Sequence, residues 1–132
     1  MTNSILTETR AFPSFSVDDV EKARRFYRDT LGLDVTERRE GLEVDLGAGS
    51  KAFLYAKKNH EPATFTVLNF PVADLDTAVD HLKSNGVTFE QYDTPDFKTD
   101  NRGIARNGDG PAVAWFKDPA GNILSVLQPR AD

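Results

Sequence analysis

The fold is decided by FSVDDVEKA at residues 15–23 and FPVADLDTA at residues 70–78, two stretches that align without a gap. Phe, Val, Asp and Ala recur at the same offsets in both copies. Each copy shows an apolar strand, an acidic turn and an amphipathic helix, which ends at Gly32 or Gly86 because glycine tolerates the left-handed cap conformation. A unit repeated in this way indicates one supersecondary motif used twice.

The acidic turns predict where the two helices begin. Asp18 or Asp19 should cap the first helix, with Glu21 completing a capping box after Asp18, and Asp74 should begin the second helix. The predicted buried faces are Val20, Ala23, Phe26, Tyr27 and Leu31 on the first helix and Leu75, Ala78, Val79 and Leu82 on the second.

Strand signals fill the rest of each half. The predicted strands lie near residues 12–17, 35–40, 42–46 and 52–57 in the first half and near 67–72, 87–92, 111–117 and 123–128 in the second. The pattern predicts an α+β fold of two βαβββ repeats, about 11–57 and 63–128, in one domain spanning residues 1–132. Residues 96–110 are polar and glycine-rich, and form either a mobile surface excursion or a flap over a ligand pocket.

Composition excludes several classes of function. The net charge of −5 and the lack of a basic stripe argue against a nucleic-acid partner. The absence of cysteine excludes disulfides, thiolate metal sites and thiol nucleophiles. Without a stretch of about 20 apolar residues no membrane span is expected. We also expect no signal peptide and therefore a soluble, cytoplasmic protein.

Three short motifs resemble the vicinal-oxygen-chelate superfamily of glyoxalases, bleomycin-resistance proteins and extradiol dioxygenases. They are RFY at residues 25–27, LGL at residues 31–33 and FKDPAGN at residues 116–122. The resemblance covers residues 11–128. It implies an open, cup-shaped mixed sheet with helices on its convex face, and a homodimer. In metal-dependent members, one His, Gln or Glu from each of four strands holds a divalent metal inside the cup.

The family's spacing and strand alternation place those four positions at Phe12, Tyr55, Val67 and Ser125. Phenylalanine and valine have no donor atom for a metal that needs imidazole or carboxylate. We therefore expect no metal and no cofactor. His60 and His81 lie in elements that should not point into the cup.

The remaining cup positions suit a small organic ligand, since they combine apolar surface with a few hydrogen-bonding groups. The predicted ligand-binding residues are Phe12, Ser14, Ser16, Asp45, Tyr55, Val67, Asn69, Trp115, Ser125 and Leu127. Two alternatives stay open: these side chains simply fill the cup, and Glu43 and Asp45 lie on its solvated rim.

Three functions follow as hypotheses. The first is a metal-free protein, similar to the bleomycin-resistance branch, that binds a small aromatic or cationic molecule. The second is a metal-dependent lyase, isomerase or dioxygenase of the same superfamily. The third is a metal-independent enzyme with Asp45, Glu43 or Tyr55 as acid or base. No residue is assigned a catalytic role, and whether the protein is an enzyme stays open.

Overall fold

The computed structural model describes residues 4–96, 98–106, 108 and 110–130. Three residues of the predicted loop, Phe97, Asn107 and Asp109, lie outside the described residues. A short 3-10 turn over Ile5–Glu8 precedes the first repeat. The elements of that repeat are β1 (Ser14–Val17), α1 (Val20–Arg25), β2 (Val35–Arg38), β3 (Gly41–Gly47) and β4 (Ser50–Ala56).

The second repeat has the same order of elements. They are β5 (Thr66–Pro71), α2 (Leu75–Ser84), β6 (Ile104–Arg106), β7 (Ala112–Lys117) and β8 (Ile123–Gln128). The strands form two four-stranded sheets with equivalent orders, β1-β4-β3-β2 and β5-β8-β7-β6. In each sheet the first strand pairs in parallel with the last, and the other pairs are antiparallel. The prediction of an α+β fold with tandem βαβββ repeats is confirmed.

Aspartates cap both helices, as the sequence predicts. The Asp19 carboxylate accepts a hydrogen bond from the Lys22 N–H at 3.1 Å, and the Asp74 carboxylate accepts one from the Thr77 N–H at 3.2 Å. The predicted capping box after Asp18 is wrong. Because Asp19 is the cap, Glu21 is too near the helix start to bond back and pairs with Arg24 instead.

The first helix ends in a π-helical turn that the sequence pattern does not reveal. Residues Phe26–Thr30 form this turn, which the Leu31 N–H closes by donating to the Phe26 carbonyl at 3.0 Å. Gly32 then takes a φ of +75°, so the predicted glycine stop is confirmed. The turn leaves Tyr27 completely buried.

Side-chain alternation puts one face of each sheet against the helices. Phe15 and Val17 of β1, and Leu124 and Val126 of β8, are buried in a core that also contains Tyr27 and the apolar face of α2. That core is shared by the two repeats. The ring of Phe26 in the first repeat lies 6.4 Å from that of Phe116 in the second.

The prediction of a strand over residues 87–92 is wrong in its length. Only Phe89 pairs with β7, opposite Phe116, before the chain leaves the sheet. It returns as β6, which lies inside the predicted loop 96–110. One edge strand is thus split by an excursion over residues 91–103, which begins and ends beside β7.

A buried carboxylate joins the two repeats. Asp118, in the turn between β7 and β8, accepts a hydrogen bond from the Tyr27 hydroxyl of the first repeat at 2.8 Å. It also accepts from the backbone N–H groups of Ala120 and Asn122 and from the Asn122 side-chain amide, at 2.8–3.0 Å. The same amide donates to the Ser16 carbonyl at 2.9 Å. Burial raises the pKa of Asp118, against the lowering effect of these four hydrogen bonds.

Replacing Tyr27 by Phe should destabilise the protein, because the Asp118 carboxylate would stay buried with one donor fewer. We expect Tyr27→Phe to lower the free energy of unfolding by about 1.5–3 kcal/mol, as for other hydrogen bonds to charged groups. Urea unfolding at neutral pH measures the change. Tyr55→Phe makes the same chemical change at a partly exposed tyrosine and serves as the control.

The difference between Tyr27→Phe and the wild type should depend on pH. Burial raises the pKa of Asp118 in the folded state above its value in the unfolded chain. The Asp118 carboxyl therefore contributes most to the free energy of unfolding when the pH is below the unfolded pKa, and this contribution is lost as the pH rises through the folded pKa. Loss of the Tyr27 donor raises that folded pKa further. The difference should therefore shrink at acid pH, and a constant difference would contradict this role for Asp118.

Candidate functional site

The faces of the two sheets opposite the helices form the cup face. Strand register assigns its members, since directly paired residues share a face. On the first sheet they are Ser14, Ser16, Glu43, Asp45, Lys51, Phe53 and Tyr55. On the second sheet they are Asn69, Pro71, Val113, Trp115, Ile123, Ser125 and Leu127. Most of the residues predicted to bind a ligand therefore lie on the face of their own sheet that is opposite the helices.

The second sheet's part of the cup face is partly covered by its own chain. The Tyr92 ring, at the start of the excursion, lies 5.6 Å from the Trp115 ring in an edge-to-face arrangement. Ser125 is completely buried, and its hydroxyl donates to the Asn69 side chain at 2.6 Å. Asn69 is exposed and is the polar group of this pair that a ligand reaches directly.

The end of the excursion lies on the helix side of the sheet. Arg102 forms ion pairs with Asp76 and Asp80 of α2 at 2.5 and 2.6 Å, and Arg106 pairs with Asp76 at 2.9 Å. These contacts hold residues 102–106 away from the cup face. The hypothesis of a flap over residues 96–110 is therefore wrong for residues 102–106, and Tyr92, which contacts Trp115, lies outside the predicted loop.

A cavity of about 350 Å³ lies where β1 meets β5. It is lined on one side by Ser14, Ser16 and Tyr55, and on the other by Phe65 and Val67. Sequence reasoning missed Phe65, which lies in a bend just before β5. This junction cavity brings together four of the predicted site residues.

His60 forms a link between the repeats that sequence reasoning also missed. Its Nε2–H donates to the Ala120 carbonyl at 2.9 Å, and its Nδ1 accepts from the Ser16 hydroxyl at 2.6 Å. The carbonyl can only accept, so Nε2 carries the proton in the neutral ring. The sequence predicts only that His60 lies in an element that does not point into the cup, and these two bonds show that the ring links β1 to the turn between β7 and β8. His81, in contrast, is exposed on α2 as expected.

The two carboxylates of the first sheet point to the cup face but already have partners. Glu43 accepts hydrogen bonds from Lys51 at 3.1 Å and Arg38 at 3.3 Å, and the Lys51 bond, followed by Arg38, lowers the Glu43 pKa. The Asp45 carboxylate accepts from the Gly47 N–H at 2.8 Å, next to the bulge in β3. Neither is a free anion for a cationic ligand.

The four family ligand positions do not fit a divalent metal. Tyr55 and Val67 line the junction cavity, whereas Phe12 lines a separate cavity on the first sheet. Ser125 is engaged with Asn69. In the part of the chain that the structure describes, no three His, Asp or Glu side chains come close enough to hold an ion. The set offers neither imidazole nor carboxylate, which this class of metal site requires.

Comparison with known proteins identifies the family. The model of the Glyoxalase/Bleomycin resistance protein/Dioxygenase superfamily matches residues 11–126. The chain belongs to this superfamily. A search of curated proteins finds no match. Among the described residues, no helix is long and apolar enough to span a bilayer.

Three solved structures of the superfamily illustrate its range. TnmS3, an antibiotic binding protein from Streptomyces sp. CB03234, is 28% identical, with a TM-score of 0.63 over 92% of this chain and 97% of that one. A glyoxalase/bleomycin resistance protein from the same strain is 26% identical, with a TM-score of 0.58 over 89% and 100%. Lactoylglutathione lyase from Agrobacterium tumefaciens is 19% identical, with a TM-score of 0.64 over 91% and 92%, and shares the fold alone.

The two histidines give a matched test of the junction. His60→Ala removes two part-buried hydrogen bonds between the repeats and should lower the free energy of unfolding by about 1–3 kcal/mol. His81→Ala, at an exposed helix position, should change it by less than about 0.5 kcal/mol. Urea unfolding of both variants at pH 8 is the measurement. Equal effects would show that His60 does not stabilise the junction.

Proposed function

We propose that this protein binds a planar aromatic small molecule on its cup face without a metal. The observation that carries the proposal is a group of aromatic side chains that stay open to solvent around the cup. Phe12 is 62% exposed, Phe65 is 67% exposed and Tyr55 is 37% exposed. Phe65 and Tyr55 line the junction cavity and Phe12 lines the neighbouring one, so each ring borders a concave surface where it can stack on a flat ligand.

The surroundings of these rings support a binding site. Ser14, Ser16 and Asn69 add hydroxyl and amide groups that can orient a ligand, while Val67 and Leu127 add apolar area. TnmS3, a related protein at 28% identity over nearly the whole chain, is named as an antibiotic binding protein. That name supports binding over turnover for this chain too.

The two enzyme hypotheses have less support. A metal-dependent lyase, isomerase or dioxygenase needs donors that Phe12 and Val67 lack. For a metal-independent acid or base at Glu43, Asp45 or Tyr55, the Lys51 and Arg38 bonds that lower the Glu43 pKa make that carboxylate a weaker base, and no described contact sets Asp45 or Tyr55 beside a second catalytic group.

Assembly and location stay predictions. The family resemblance favours a homodimer, and the exposed Ile5, Leu6 and Phe65 provide apolar surface for one. A cytoplasmic location rests on the sequence only.

Aromatic truncation tests the proposal. A panel of planar aromatic compounds is screened by calorimetry in buffer with EDTA, and the best binder is then measured on variants. Tyr55→Ala and Phe65→Ala should each weaken binding by about tenfold. One aromatic contact contributes about 1 kcal/mol in addition to the free energy gained by burying its apolar surface. His81→Ala, which truncates an exposed ring on α2, on the helix side of the second sheet, is the control.

Two results would contradict the proposal. One is a panel in which no compound binds. The other is binding that appears only when EDTA is replaced by a divalent metal, which would favour the metal-dependent alternative.

A further inference from the structure

A second cavity, of about 290 Å³, lies on the first sheet's part of the cup face. Its lining combines two phenylalanine rings with cationic side chains. The residues are Arg10, Phe12, Glu43, Gly49, Lys51, Ala52 and Phe53. We name it the Arg10 subsite. Apart from Phe12, sequence reasoning assigned none of these residues to the ligand.

Arg10 is held in place yet keeps most of its hydrogen-bonding capacity. Its Nη1 donates to the Gly49 carbonyl at 2.8 Å. Gly49 has a φ of +80°, which favours glycine, and a Cβ there would lie 2.5 Å from that same nitrogen, so the absence of a side chain leaves room for the guanidinium. Across the described ranges, no carboxylate lies within ion-pair distance of Arg10.

The charged side chains that line the Arg10 subsite sum to a net positive charge, although the whole chain has a net charge of −5. Glu43 is neutralised by Lys51 and Arg38, which lie on either side of it. The subsite itself is lined by two cations, Arg10 and Lys51, against the single carboxylate of Glu43. A cationic ligand is one of the two classes named in the first hypothesis. It would meet this local excess of positive charge.

We propose that the Arg10 subsite binds the anionic group of a planar aromatic ligand, such as a carboxylate or an ionised phenol. The ring would lie against Phe12 and Phe53. The negatively charged oxygens would accept hydrogen bonds from Arg10, whose planar fork matches a carboxylate, and from Lys51. This inference rests on the proposed aromatic binding and specifies the chemical class of the ligand.

Three naphthalene probes of equal shape test the charge preference by calorimetry at low salt. They are 2-naphthoate, neutral 2-naphthamide and cationic 2-naphthylmethylammonium. We expect the naphthoate to bind about tenfold more tightly than the amide, and the cation to bind most weakly. In Arg10→Gln the preference for naphthoate should fall below about threefold, with the affinity for the amide kept.

Arg25→Gln is the matched control, because Arg25 is an exposed arginine of α1 away from the cup face. It should keep the wild-type preference. Equal affinity for naphthoate and amide, or a preference kept in Arg10→Gln, would overturn this inference and leave the aromatic binding intact. Failure of all three probes to bind would count against both.

Discussion

The buried Asp118 carboxylate is the contact on which the relation between the two repeats depends. It lies in a tight turn of the second repeat, yet one of its four hydrogen bonds comes from Tyr27 in the first. Asn122, from the same turn, extends the contact to the backbone of Ser16, whose hydroxyl meets His60. A continuous set of polar contacts thus runs from the core to the junction cavity. Each donor is satisfied, and among the described residues no buried side-chain polar atom lacks a partner.

The chain shares the fold of its relatives but not the residues with which some of them bind a metal. The repeats place their cup faces as in the superfamily, but the positions that hold a metal in other members carry a phenyl ring, a phenol, an isopropyl group and a hydroxyl. One fold commonly serves unrelated functions, and on this fold we propose binding of a flat molecule in place of metal-dependent chemistry.

Local patterns were enough to predict the repeat, the helix caps at Asp19 and Asp74, and the inward and outward faces of most strands. These features depend on nearest neighbours and on periods of 2 and 3.6 residues. The rest depends on contacts between distant residues. The pairing of Glu43 with Lys51 needs the register of β3 and β4, and the His60 link needs two residues from different repeats. The sequence did not predict the split of the edge strand, because β6 has only three residues and lies inside a polar segment.

Methyl NMR of the protein in EDTA, titrated with a planar aromatic compound, tests most directly whether the cup face is a metal-free binding site. Ring currents of a bound ligand would shift the methyl signals of Val67 and Leu127 on the cup face. The signals of Leu75 and Val79, on the buried face of α2, should stay in place. Shifts confined to Leu75 and Val79, or shifts that require a divalent metal, would contradict the account.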